Sequence, residues 1–251
     1  MSAEHEGRVA VITGGARGFG KAFGIALAER GAQVVLMDID GAAAEATAAE
    51  LRDAGLKVSA MTCNVADDAQ TGAAMAKVAA DHGGIDILIN NAGLHSEAFG
   101  RPMVEIGMGD LRRLFDVNVL GVMGCSLAAR PAMAGRPNAC IINISSSAGY
   151  GPSRAYGVSK LAVRGLTVIS AQEFAADGIR VNALAPGLIG TETIKKELSE
   201  AHVKHVMAQQ LVARWGEETD IVEGMLFLVS DKASFMTGET LRISGGFALS
   251  V

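Results

Sequence analysis

From Arg8 onward, short apolar runs alternate with longer segments whose apolar positions recur three and four apart. Residues 9–12, 33–37, 57–65, 85–89, 140–144, 179–184 and 240–243 read as strands. Between them, residues 18–30, 41–55, 67–84, 107–134, 153–177 and 217–229 read as helices. Gly31 and Gly178 stop two of these helices, and Asp40 and Asp67 stand where N-caps belong. Steady alternation of strand and helix calls for parallel strands joined by right-handed crossovers, with helices on both faces of the sheet. The expected fold is α/β, a doubly wound three-layer sandwich around a central parallel sheet of about seven strands.

The first apolar run hands over to the first helix through Thr13-Gly14-Gly15-Ala16-Arg17-Gly18-Phe19-Gly20. Glycines allow a tight turn at positive φ and let backbone N–H groups approach a pyrophosphate, and the new helix adds the positive end of its dipole. The spacing, Gly-x-x-x-Gly-x-Gly, departs from the commoner G-x-G-x-x-G. Taken alone the turn also suits a structural bend or an S-adenosylmethionine enzyme. Asp38 closes the second strand about twenty residues on, where a carboxylate accepts hydrogen bonds from adenosine ribose hydroxyls and repels a 2′-phosphate. Its other reading is a helix cap, a role that Asp40 fills better. Arg17 pulls the other way, since a cation in the glycine turn can meet a 2′-phosphate, the pyrophosphate or solvent.

The fourth strand closes in Asn90-Asn91-Ala92-Gly93, and the fifth delivers Ser145-Ser146-Ser147 to the same rim as the glycine turn. Then comes Tyr156-Gly157-Val158-Ser159-Lys160, which puts a tyrosine and a lysine on one helical face within a turn. The combination of Thr13-Gly14-x-x-x-Gly18-x-Gly20, Asn90-Asn91-Ala92-Gly93 and Tyr156-x-x-x-Lys160 resembles the short-chain dehydrogenase/reductase family across essentially the whole chain. The resemblance implies a Rossmann-type fold and an NAD(P) cofactor. It also implies a cofactor site at Gly14, Arg17, Gly18, Phe19, Gly20, Asp38, Ile39, Asn64, Val65, Asn91, Ala92 and Gly93, with Pro186, Ile189 and Thr191 at the nicotinamide end and Tyr156 and Lys160 shared with catalysis. The implied catalytic residues are Asn118, Ser146, Tyr156 and Lys160. Ser146-Ser147-Ala148-Gly149 matches the family's Ser-x-x-Gly register, which selects Ser146 over Ser145. Asn118 is expected to interrupt its helix and hold a water beneath the lysine. The link from Gly149 to Tyr156 is roughly three residues shorter than is usual for the family, which alters the substrate wall more than the chemistry.

Moving a hydride between a carbinol carbon and nicotinamide requires a group that exchanges the alcohol proton near neutral pH. A free tyrosine, with a pKa of about 10, is a poor base there. The positive charges of Lys160 and of oxidised nicotinamide are expected to lower the Tyr156 pKa. Ser146 would hold the substrate oxygen, Lys160 the nicotinamide ribose, and Asn118 the end of a proton relay.

Composition narrows the partners. With 49% apolar residues and a net charge of −5, the chain has no basic stripe for nucleic acid, and Lys and Arg are scattered among acids. No apolar run approaches the ~20 residues of a membrane span, and the N-terminus lacks the pattern of a secretory signal, so a cytoplasmic protein is expected. One domain is expected over residues 1–251, with a substrate lid near 190–215. Cys63, Cys125 and Cys140 read as buried thiols, and no metal site is expected, His202 and His205 lacking a third ligand. The long helices at 107–134 and 153–177, with Ala128, Ala129, Ala162 and Ala171, are expected to bury an outer face in a homotetramer.

Three functions compete: an NAD-preferring dehydrogenase of secondary alcohols or ketones, a non-catalytic dinucleotide-binding regulator, and a methyltransferase. Only the first uses Ser146, Tyr156 and Lys160 together. For its substrate, Leu94, Ala148, Tyr150, Leu188, Met207 and Leu211, with His95 and Ser96, suggest a small, neutral, partly apolar molecule such as a cyclic alcohol or hydroxysteroid. The alternative is a 3-oxoacyl thioester on an acyl carrier protein, for which Arg130 and Arg136 would supply cations while Gln172 replaces a second arginine.

Overall fold

The computed structural model describes residues 4–95, 97–151, 154–191, 200–247 and 249. Seven strands, β1 (Val9–Thr13), β2 (Gln33–Asp38), β3 (Val58–Thr62), β4 (Ile87–Asn90), β5 (Cys140–Ile144), β6 (Arg180–Pro186) and β7 (Thr240–Ile243), form one parallel sheet in the order β3-β2-β1-β4-β5-β6-β7. The chain winds outward from β1 in one direction and from β4 in the other, so the strand order reverses between these two. A crevice for a ligand opens there at the carboxyl ends.

Alternate residues of each strand feed two cores. On one face Ala10, Ile12, Leu36, Ile87, Ile89 and Ile142 pack with Phe23 and Leu27 of α1 (Gly18–Ala28), Leu51 of α2 (Gly41–Asp53) and Met225 of the last helix. On the other, Val9, Val11, Val35, Leu88 and Ile141 meet Met75 of α3 (Asp68–His82) and Phe174 at the end of the long helix that follows β5. The period of two in each strand is what sorts residues between the faces. Cys63, Cys125 and Cys140 are all buried free thiols.

Asp40 accepts from the amide of Ala43 and Asp67 from those of Ala69 and Gln70, capping α2 and α3 as the sequence suggests. After β4 come a single turn, α4 (Glu97–Gly100), and α5 (Met108–Phe115). The helix expected over 107–134 is not continuous: a π-helical turn at Asp116–Leu120 separates α5 from α6 (Gly121–Met133). Next are α7 (Ala155–Glu173), α8 (Glu200–Gln209) and α9 (Glu218–Val229). Ser96, the 152–153 link and 192–199, the start of the expected lid, lie outside the described residues.

Two expectations about helix faces are corrected. Ala129 of α6 and Ala171 of α7 are turned inward, 0% and 5% exposed in the second core. The outward apolar residues are instead Leu120, Leu127, Val158, Leu161, Val168 and Ile169, each more than two-fifths exposed. A stripe of alanines fits either side of a helix, so spacing alone does not say which face meets the sheet. Among the described residues no helix is long and apolar enough to cross a membrane, and no group of three metal-ligating side chains occurs.

Candidate active site

The glycine turn is held from every side. Gly14 and Gly18 have φ of 62° and 51°, a region that favours glycine. A Cβ on Gly14 would lie 2.9 Å from the Ala92 Cα, and one on Gly20 would run into the Gly14 carbonyl. The Gly15 amide donates to the Met37 carbonyl (3.0 Å), the Ala16 amide to Asp38 Oδ2 (3.1 Å), and the Thr47 hydroxyl to the Ala16 carbonyl (2.8 Å). Asn91 Nδ2 donates to the carbonyls of Thr13 and Gly14, while Thr13 Oγ1 accepts from the amides of Asn91 and Ala92. The two glycine-bearing motifs thus brace each other. Unlike α2 and α3, α1 begins without a side-chain cap: exposed Arg17 stands at its N-cap and makes no capping hydrogen bond. Its first-turn amides face the crevice, the arrangement an anionic pyrophosphate needs. The half-buried Phe19 stacks on Phe23 inside the helix.

Asp38 is buried at the end of β2, and its two oxygens accept from Ala16 and Asp40. Each oxygen keeps a lone pair for a hydroxyl. Ile39 beside it is 68% exposed. Asn64 and buried Val65 follow β3, and Asn64 Oδ1 accepts from the Ala66 amide, so β3 ends sooner than the apolar run suggests.

Ser146, Tyr156 and Lys160 meet at the carboxyl ends of β4 and β5. Ser146 and Tyr156 are joined by a side-chain hydrogen bond. Ser145, by contrast, turns its hydroxyl to the Lys160 carbonyl (2.8 Å). Lys160 is 5% exposed; its ammonium donates to the Ile144 carbonyl (2.8 Å) and lies 5.8 Å from the Tyr156 ring centroid. Burial pushes the Tyr156 phenol up to about 12, against a smaller lowering by the Ser146 hydrogen bond, and burial pulls the Lys160 ammonium down to about 8. The depressed tyrosine expected from the lysine's charge is therefore not produced by the chain alone, because desolvation of the phenol outweighs the Ser146 hydrogen bond.

Asn118 sits in the π turn, fully buried. Its side chain clamps the backbone of Leu94, accepting from the amide (2.7 Å) and donating to the carbonyl (3.0 Å), and it also donates to Ser159 Oγ. A Cβ on Gly93 would lie 3.4 Å from both Asn118 Oδ1 and Lys160 Nζ, which places these two groups together beside the Gly93 backbone. At the far end of the crevice, Pro186 ends β6, Ile189 is 4% exposed, and the Thr191 amide donates to the Ile189 carbonyl.

A buried ladder beneath the site escaped the sequence reading. Asn90 Nδ2 donates to Ser126 Oγ and Asn143 Oδ1, and Asn143 Nδ2 donates to Thr167 Oγ1, tying β4, β5, α6 and α7 below the catalytic rim. The signal was there: asparagines inside apolar strands need buried partners. Another expectation fails. Tyr150 is no apolar pocket wall; its ring lies between the guanidinium groups of Arg164 (3.7 Å) and Arg242 (4.2 Å). Leu211 is 72% exposed, whereas Leu188 is buried.

Fold and site together have the form of a nicotinamide-dependent oxidoreductase. A family profile described as enoyl-(acyl carrier protein) reductase matches residues 14–248. The chain is 36% identical over 241 residues to the 3-oxoacyl-(acyl-carrier-protein) reductase of Staphylococcus aureus, covering 94% of this chain and 96% of that protein. It is also 36% identical over 244 residues to the cis-4-hydroxycyclohexanecarboxylate dehydrogenase of Sinomonas cyclohexanicum, covering 96% of each. A solved 7α-hydroxysteroid dehydrogenase, complexed with NADH and 7-oxo glycochenodeoxycholic acid, superposes with a TM-score of 0.90 at 31% identity, over 98% of this chain and 96% of that one. The chain belongs to the short-chain dehydrogenase/reductase family, oxidoreductases that act on CH–OH groups with a nicotinamide dinucleotide.

Proposed function

We propose that this chain is an NAD(H)-preferring dehydrogenase of a small, neutral, partly apolar secondary alcohol or its ketone, of the cyclic alcohol or hydroxysteroid kind. The observation that carries this reading is the Ser146–Tyr156–Lys160 group at the rim of a crevice whose opposite wall is an uncapped helix and a glycine turn. A bound nicotinamide dinucleotide supplies the hydride acceptor or donor and, when oxidised, a second positive charge near the phenol. Tyr156 exchanges the proton of the alcohol oxygen, Ser146 holds that oxygen by its hydroxyl, and Lys160, still cationic near pH 7, favours the phenolate and holds the ribose. Asn118, in a turn whose backbone has left the α-helical ladder, closes the relay toward solvent through a water. Gly14, Arg17, Gly18, Phe19 and Gly20 cradle the pyrophosphate, with Ile39, Asn64 and Val65 around the adenine, Asn91, Ala92 and Gly93 beneath the ribose, and Pro186, Ile189 and Thr191 at the carboxamide.

The preference for NAD rests on Asp38, whose buried carboxylate repels a 2′-phosphate where the ribose hydroxyls would bind. For the substrate, neither arginine considered for an acidic carrier protein is available: Arg130 pairs with Asp177 and covers Phe174, and Arg136 pairs with Asp86. The reductase of Staphylococcus aureus keeps the 3-oxoacyl thioester as the second reading. The chain works as one catalytic domain with a lid over 190–215, in the cytoplasm, and assembles as a homotetramer through the exposed apolar faces of α6 and α7.

Absorbance of reduced nicotinamide during turnover tests the whole reading. Neutral cyclic ketones should be reduced with higher kcat/KM than short 3-oxoacyl thioesters, and with NADH in preference to NADPH. The reverse order on substrates would install the second reading, and no turnover with either cofactor would leave a dinucleotide-binding regulator. A monomeric mass by light scattering at micromolar concentration would remove the tetramer.

A further inference from the structure

The turn assigned to nicotinamide packs Leu188 and Ile189 inward, and Ile189 joins the first core. Behind Leu188 and Ile189 lies a cleft of about 210 Å³, bordered by Gln210, Arg214, Asp220 and Ser244. What holds the turn from that side is the segment 210–216, which links α8 to α9. The Gly190 amide donates to the Gly216 carbonyl (2.9 Å) and the Gly216 amide to the Leu188 carbonyl (3.0 Å), a one-rung parallel bridge between Ile189 and Gly216. A Cβ on Gly216 would meet the tip of the Ile189 side chain, which therefore packs directly on the Gly216 backbone.

The segment is fixed at both ends. At its start the amides of Leu211 and Val212 both donate to the Gly245 carbonyl (2.9 Å each), and Gln210 Nε2 spans the loop to the carbonyls of Val212 and Arg214. At its end Arg214 makes a two-pronged pair with Asp220 (2.7 and 2.8 Å) while donating to the Trp215 carbonyl (2.9 Å). Asp220 is itself held, accepting from the Glu217 amide in the capping box of α9 (2.7 Å). A bidentate fork fixes orientation as well as distance, which a lysine cannot do.

We propose that Arg214 is a positioning residue for the cofactor: through Asp220 it holds the 210–216 strap against Leu188–Gly190 and so sets where the backbone of Ile189 and Thr191 stands for the nicotinamide carboxamide. The proposal rests on the assignment of that turn to nicotinamide. Arg214 touches neither cofactor nor substrate in this role, and its contribution is orientation of the nicotinamide end alone.

Trp215, the only tryptophan in the chain, lies in the strap and gives a readout independent of turnover. NADH absorbs where tryptophan emits, so titration with excitation of Trp215 yields both an affinity and an efficiency of energy transfer. Arg214→Met is expected to weaken NADH about threefold to tenfold and to change the transfer efficiency at saturation, raising KM for NADH more than it lowers kcat. Arg214→Lys, which keeps the charge but loses the fork, should restore part of the affinity. ADP-ribose, which lacks the nicotinamide ring, should displace NADH with an unchanged affinity of its own in every variant. Asp220→Asn, which retains an oxygen for the Glu217 amide, should repeat the Arg214→Met result and guards against misfolding of either variant. Native NADH affinity and transfer efficiency in both variants would overturn the proposal, as would an equal loss for NADH and ADP-ribose, which marks a general structural defect. If the unaltered protein gives no transfer with NADH at all, the nicotinamide assignment itself fails and the proposal falls with it.

Discussion

The two rims of the sheet are built from the same backbone and use polar groups in opposite ways. The amino rim gathers helix C-termini, whose carbonyls lack intrahelical partners, and arginines satisfy them. Arg8 donates to the Val229 carbonyl at the end of α9, Arg180 to that of Leu228, Arg136 to that of Gly83 just after α3, and Arg30 to that of Ala26 in α1. Asn138, at a φ of 52°, joins Arg180 to Asp231. The carboxyl rim gathers helix N-termini, and aspartates cap α2 and α3 there. On that rim α1 begins without a side-chain cap, and the Tyr156 phenol and the buried Lys160 ammonium gather beside Gly93.

That contrast predicts that substitutions at the carboxyl rim cost activity and those at the amino rim cost stability. The largest effect is expected for Tyr156→Phe, which should lower kcat at least about a hundredfold, the low end of what an acid–base group supplies, with cofactor affinity nearly unchanged. A rate above about a hundredth of native would remove Tyr156 from that role. At the opposite rim, Arg136→Ala strips the buried Asp86 carboxylate of its fork and leaves it only the Val9 amide. Because the pair is partly solvated, the expected loss is about 2–3 kcal/mol of stability in a denaturant titration, below the range for a fully buried pair. kcat/KM measured well below Tm should stay native, and a drop in it would blur the division of labour.

Lys160→Met joins the two halves of the comparison. The ammonium titrates near 8 in the folded chain against an ordinary 10.5. Below pH 8 both states are protonated and the full cost of burying the charge is present. Between pH 8 and 10.5 the unfolded chain binds more protons, so stability rises with pH, and above 10.5 the cost is gone. The variant should lose turnover yet gain about 2 kcal/mol at pH 7, after allowance for the hydrogen bond lost by Ile144, with the gain shrinking toward pH 10. Equal stability of the two forms at pH 7 would show that the lysine is not buried as a charge. The smallest effect is expected at Asp38→Ser: kcat/KM for NAD should fall about tenfold while that for NADP rises. Loss with both cofactors would mean that Asp38 matters mainly as the brace of the Ala16 amide.

Much of the carboxyl rim was legible because its signals are local. Glycines at 14, 18 and 20 follow an apolar strand directly, and Tyr156 and Lys160 stand one helical turn apart. The Asp40 and Asp67 caps lie within three residues of the amides they serve. The interrupted helix at Asn118 was expected from family resemblance, since the weak helix formers in Phe115-Asp116-Val117-Asn118-Val119 do not by themselves specify a π turn; the turn widens where Asn118 reaches the backbone of Leu94.

By itself the sequence determined the alternation of strands and helices, the face each strand residue takes, and the turn that opens the crevice, because each follows from a period of two or of 3.6 or from the φ a glycine permits. The tertiary structure decided everything that depends on partners far apart in the chain. Asn90 finds Asn143 across 53 residues through the register of β4 on β5. Tyr150 is taken by Arg164 and Arg242 from two other elements, and Ala129 and Ala171 turn toward the sheet and not outward. The rung between Ile189 and Gly216 joins segments 27 residues apart, and Gly245, just past β7, accepts from the Leu211 and Val212 amides of the same strap. Spacing along the chain encodes the first kind of feature. The second requires the sheet to be closed before the partners exist.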